Sequence, residues 1–213
     1  MKLATIHPGD SALGDGAAAV ARARRLEHLT IAWNAFEAVV ALVSGLVAGS
    51  IALVSFGLDS VIETVSAAIL LWRLRPDDDG AHREQTARRL VGICFLLLAA
   101  YVAVESIRDL WMAAQPERSL PGILIAIAAL VVMPFLGRAK RRAAAQIDSR
   151  ALHADSRQAD FCAWLSAILL AGLLLHSLLG WWWADPVAAL VMVPIIAREG
   201  VKGVRGETCN DCG

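Results

Sequence analysis

The chain has 213 residues, 57% of them hydrophobic, and its 20 Lys and Arg balance 20 Asp and Glu to a formal net charge of zero. With the apolar residues gathered in long runs, that composition excludes an ordinary soluble domain. The neutral balance, without a basic stripe carrying interleaved aromatics, argues against nucleic acid as a partner.

Residues 1–28 read as a polar, Ala- and Gly-rich tail without the apolar core of a signal peptide, ending in the basic cluster Arg22, Arg24 and Arg25. The first membrane span is predicted from about Thr30 to Gly49. Asn34 and Glu37 share one of its faces, and Gly45 and Gly49 form a small-xxx-small pair that admits a close neighbouring helix. Almost no loop precedes the second span, Ile51–Trp72, so the first two helices should form an antiparallel hairpin. A polar loop, RLRPDDDGAHREQTARR, leads to a third span at about Leu90–Ala113. Near its end Glu105 and Arg108 are spaced for a local ion pair. The fourth span is expected at about Leu120–Gly137, with Pro134 as a kink, before a strongly basic stretch, RAKRRAAAQIDSR. The fifth runs from about Ala151 to Gly180. GWWWADP then makes a turn with a tryptophan belt at the water interface, and a short sixth span covers about Val187–Ala197.

This predicts an all-α membrane protein: a six-helix transmembrane bundle over residues 29–199, flanked by the tail 1–28 and a tail 200–213 ending in Cys209 and Cys212 as C-x-x-C. Lys and Arg gather on the side of the membrane that holds both tails and the second and fourth loops, whereas the other side holds only Arg108 and Arg118. The positive-inside bias therefore places both termini in the cytoplasm.

The second span, IALVSFGLDSVIETVSAAILLW, carries two acids four residues apart, Asp59 and Glu63, which point from one helical face. A carboxylate at mid-membrane costs roughly 2.5–3.5 kcal/mol on insertion scales, and such groups are functional by default. Two like charges there repel unless a proton or cation joins them. The plainer alternative is a protonated or salt-bridged pair held for packing. Ser60 and Thr64 lie beside them, able to relay or satisfy hydrogen bonds. In the fifth span Asp155, Gln158 and Cys162 form one stripe, while Arg157 and Asp160, off it, are spaced to pair with each other. Taken singly, Cys162 is a small buried hydrophobe and Gln158 an interhelical hydrogen-bonding residue. Taken together, a carboxylate, an amide oxygen and a thiolate are a cation ligand set, and the thiolate favours zinc over magnesium or calcium. Span two running inward beside span five running outward would bring Asp59, Glu63, Gln158 and Cys162 together, with Asp155 auxiliary. Asn34 and Glu37 are candidates to line the path or to pack against polar neighbours. No nucleophile–base pair or cofactor loop is present, so neither catalysis nor an organic cofactor is expected.

GSIALVSFGLDSVIETVSA resembles the second span of the cation diffusion facilitators, whose paired metal-binding motif stands where Asp59 and Glu63 do. SRALHADSRQADFC resembles their fifth-span motif, an Ala-Asp followed by His-x-x-x-Asp: Ala154 and Asp155 match the first pair, while Gln158 and Cys162 stand at the histidine and the aspartate. GWWWADPVAALVMVPIIAREG is similar to their sixth span. The resemblance, over about Thr30–Val201, extends to the small transmembrane zinc exporters that have this fold without the family's usual cytoplasmic metal-binding domain. It implies export of a divalent metal, zinc foremost, in exchange for protons, by a homodimer embedded in lipid in a bacterial inner membrane. Cys209 and Cys212 would then capture metal at the entry. The alternative is a membrane protein that binds metal without transporting it and modulates a partner.

Overall fold

The computed structural model describes residues 8–73, 80–114, 116–147 and 150–205. These form six helices and no strand: α1 (Pro8–Ala48), α2 (Ile51–Arg73), α3 (Gly80–Met112), α4 (Leu120–Gln146), α5 (Arg150–Leu179) and α6 (Ala184–Arg205). Five of them, α1 to α5, are long and apolar enough to cross a membrane, and α6 is a 22-residue helix packed among them. The bundle is that of a multi-pass integral membrane protein. Its surface carries Leu46, Val47, Leu97, Phe135, Trp164 and Leu178, each more than 60% exposed. Such residues face lipid at no cost, so helix association rests instead on close packing and on bonds between polar groups.

The helices run beyond the apolar stretches that mark them in the sequence. α1 begins at Pro8 rather than near Thr30, and α4 continues past Gly137 to Gln146. A helix satisfies its own backbone wherever it lies, so a switch to polar side chains ends the membrane span but not the helix.

α1 and α2 are the expected antiparallel hairpin. Its two glycines have different tasks. A Cβ on Gly45 would sit 2.8 Å from the backbone nitrogen of Val54, so Gly45 is where the two helices touch. Gly49 meets nothing within 4 Å but has φ +66°, the left-handed conformation that ends α1 and turns the chain. The next residue, Ser50, caps α2, its Oγ accepting from the Leu53 amide at 3.1 Å.

α1, α2, α5 and α4 close into a ring in that order, and the tightly packed pair α3–α6 lies against α2 and α5. A Cβ on Gly92 of α3 would approach the α6 backbone to 2.5 Å at Val204 N and 2.8 Å at Gly200 O. Gly92→Ala is therefore expected to pry this pair apart and cost about 1–3 kcal/mol. Thermal unfolding in detergent checks it: a lower midpoint is expected, and an unchanged one would mean that the helices separate freely.

Two polar clusters lock the ends of the ring. At one, Asp185 of α6, 1% exposed, accepts from the Ser50 hydroxyl and, at 3.3 Å, from the Ala52 amide. A carboxylate there satisfies orphan amides at the start of α2. At the other, Lys140 of α4 lies between Glu27 of α1, 3.2 Å away, and Asp155 of α5. Glu27 and Lys140 are almost wholly buried.

Pro134 lies inside α4 as expected, and Pro194 is a second interior proline, in α6. Glu105 and Arg108 pair at 3.4 Å. Asp160 pairs with Arg141 of α4 at 2.6 Å, a partner that spacing along α5 does not offer, because the α4–α5 contact brings that guanidinium to it. Trp181 and Trp183 stack at 5.0 Å in the turn before α6.

Candidate metal site

α2 is almost uniformly apolar on either side of Asp59 and Glu63, which flank its midpoint and are 2% and 4% exposed. The four-residue spacing aims both carboxyls at α5. From α5 comes Cys162, completely buried, and one ligand-type atom from each of the three lies within 4.8 Å of the others. Zn–O bonds of about 2.0–2.2 Å and a Zn–S bond of about 2.3 Å put the ligand atoms of one tetrahedral ion roughly 3.3–3.8 Å apart. Reaching that spacing from 4.8 Å is a movement of roughly 1.0–1.5 Å.

α1 supplies the rest of the wall. Glu27, Thr30, Asn34, Glu37 and Ala41 recur at alternating three- and four-residue steps, all buried, so a polar stripe on α1 faces the centre of the ring. Glu37 collects three donors: Trp33 Nε1 at 2.7 Å, Ser60 Oγ at 2.6 Å and Cys162 Sγ at 3.6 Å. The last of these holds the thiol toward α1. Asn34 donates from Nδ2 to Glu63 Oε2 at 3.0 Å. Thr64, by contrast, spends its hydroxyl on the Ser60 carbonyl of its own helix. Ser60 is thus the hydroxyl that serves the site.

The chemistry follows from the donor set. Two carboxyls and a thiol, buried within 4.8 Å of one another, cannot all ionise in a low-dielectric interior without a compensating charge. A divalent cation would supply that charge, and these ligand types must shed their protons to bind one.

Of the sequence candidates, Asp59, Glu63 and Cys162 come together, with Asn34 and Glu37 directly against them. Gln158 is half-buried, one turn before Cys162 on α5. Asp155 lies instead against Lys140, whose ammonium occupies its carboxylate. Cys209 and Cys212 lie outside the described residues. Sequence reasoning missed Glu27 and Lys140. Glu27 continues the Asn34–Glu37 stripe by two turns, and that periodicity was the available signal; nothing local marks Lys140 among its basic neighbours.

Comparison with known proteins gives the family. Transmembrane protein 163 of Xenopus laevis is 28% identical over 180 residues, covering 82% of this chain and 63% of the relative. An uncharacterized transporter of Synechocystis is 27% identical over 153 residues, 68% of this chain and 49% of the relative. The cation-efflux pump FieF of Shewanella oneidensis is 25% identical over 169 residues, 75% of this chain and 57% of the relative. The chain therefore spans between about half and two-thirds of the length of these curated relatives. Residues 28–205, covering all but the start of α1, match the family model described as the cation efflux transmembrane domain. The chain belongs to the cation efflux family.

Proposed function

We propose that the protein carries a divalent metal cation, zinc foremost, out of the cytoplasm in exchange for protons, through a site formed by Asp59, Glu63 and Cys162. One observation carries this reading: three buried ligand-type atoms from two helices, within 4.8 Å of each other at mid-span. Membership of a family described by cation efflux supports transport rather than mere binding. The thiol supports a softer metal, since sulfur ligands select zinc over the harder divalent ions. Protons are the natural counter-ion because the ligands must shed them to bind. Rocking of helix pairs about a fixed mid-membrane site alternates its exposure between the two sides. Gln158, one turn before Cys162, is an auxiliary oxygen on the approach, and the Lys and Arg asymmetry places both termini in the cytoplasm.

Two measurements test the reading. Cys162→Ser keeps the packing volume but replaces a potential thiolate with a poor anionic ligand. It is expected to weaken zinc transport by roughly 10-fold or more, taking the 10–100-fold loss on removing even an outer-shell partner as the guide. Cys162→Asp supplies a hard oxygen and is expected to move preference toward manganese. Zinc transport by Cys162→Ser with unchanged affinity would make the thiol structural. For orientation, a membrane-impermeant thiol reagent applied to intact cells should leave Cys209 unlabelled, and labelling from outside would reverse the assignment.

A further inference from the structure

We infer that α1 contributes a direct metal ligand, the side-chain oxygen of Asn34, so that the site is built from three helices rather than two. This rests on the Asp59–Glu63–Cys162 reading and extends it. Asn34 is 1% exposed, and its amide nitrogen donates to Glu63 Oε2 at 3.0 Å. The two oxygens flanking that bond, Asn34 Oδ1 and Glu63 Oε1, are both buried, and neither has a hydrogen-bond partner. Buried acceptors ordinarily find a donor. Here two belong to one hydrogen-bonded pair of side chains on facing helices, and Glu63 is itself part of the cluster of two carboxyls and a thiol. A bridging water could donate to both oxygens, but only a cation would also offset the charge of the two carboxyls and the thiol beside them.

Charge favours Asn34 over its neighbour Glu37 as the added ligand. Asp59, Glu63 and a Cys162 thiolate carry three negative charges against the two positive charges of the ion. A fourth anion would deepen that imbalance in a medium where uncompensated charge is costly. A neutral amide oxygen fills the fourth position of a tetrahedral ion and adds none. Glu37 is already engaged by Trp33, Ser60 and Cys162, whereas Asn34 Oδ1 is unengaged. Metal binding would then draw α1, α2 and α5 together around one ion.

The test uses Co2+ as a spectroscopic probe on the purified full chain in detergent, followed by visible and near-ultraviolet absorption. With Cys209→Ser and Cys212→Ser in every protein, wild type included, so that the C-x-x-C of the tail adds no thiolate signal, wild type should show thiolate-to-cobalt charge transfer from Cys162 alone. Asn34→Leu should bind Co2+ roughly 10–100-fold more weakly and show altered ligand-field bands, while Asn34→Asp, which keeps an oxygen there, should still bind. Asn34→Cys should gain a second thiolate band, a positive signal that impaired folding could not produce. Co2+ binding by Asn34→Leu with wild-type affinity and spectrum, or no added band in Asn34→Cys, would overturn the inference. A wild-type complex with no thiolate band at all would sink the Cys162 site itself, and the inference with it.

Discussion

Asp59→Ala is expected to abolish metal transport while leaving the protein folded and inserted. Asp59 is one of the three groups that meet at the centre of the ring, and Ala offers no ligand atom. Loss of even an outer-shell partner lowers metal affinity by roughly 10–100-fold, and loss of a charged ligand should do no less. Folding should not suffer in proportion. Asp59 is 2% exposed and takes part in none of the ion pairs that lock the ends of the ring. Removing an acid from the middle of a span should ease insertion by about 2.5 kcal/mol. Size-exclusion profile and metal flux, measured on the same preparation, separate the two effects. A monodisperse variant without flux is the expected outcome. Flux at the wild-type rate would remove Asp59 from the site.

The second large effect is expected at Lys140. Its ammonium is the shared partner of Glu27 and Asp155, in a cluster joining α1, α4 and α5. Removing one partner of a buried ion pair strands the others, at a cost of about 3–5 kcal/mol. Lys140→Ala strands two carboxylates facing each other and should fall at the upper end of that range. Adding Glu27→Gln and Asp155→Asn to Lys140→Ala removes the stranded charge and should recover most of the loss. Unfolding of the single and triple variants in detergent reads the difference. If Lys140→Ala unfolds like wild type, the cluster contributes nothing; if the triple variant is no better than the single one, charge is not the reason for the loss.

The pair Lys140 and Asp155 also marks where the sequence is legible and where it stops being so. The convergence of Asp59, Glu63 and Cys162 could be read because the signal is local: ionisable or ligating residues inside apolar runs, at spacings that share a helix face. The Glu105–Arg108 pair was visible for the same reason, lying three residues apart on one helix. Asp155 has the same spacing to Gln158 and Cys162, yet its partner comes from another helix, 15 positions earlier in the chain. Asp160 repeats the pattern, pairing with Arg141 of α4. Which helices pack together decides such pairings, and periodicity along one helix does not contain that information.

Hydropathy misplaces helix ends for a related reason. Charged residues interrupt the apolar runs near Glu27 and beyond Gly137, but the helices continue as α1 and α4 and carry Glu27 and Lys140 with them. Gly49 is a smaller case. Its four-residue spacing from Gly45 suggested a second packing contact, but it lies at the end of α1, and the turn into α2 needs its positive φ.

We propose that metal crosses the membrane through this chain in exchange for protons. This is tested most directly by reconstituting the purified protein alone into sealed liposomes that hold a zinc indicator and a pH indicator. With zinc outside and an outward-directed proton gradient, zinc should enter, protons should leave in step, and both signals should vanish in Asp59→Ala. Lowering the external pH should slow zinc entry, because protons then hold the same ligands. Stoichiometric zinc binding by the same preparation, with no zinc or proton flux under any gradient, would contradict the account and leave a protein that binds metal without carrying it.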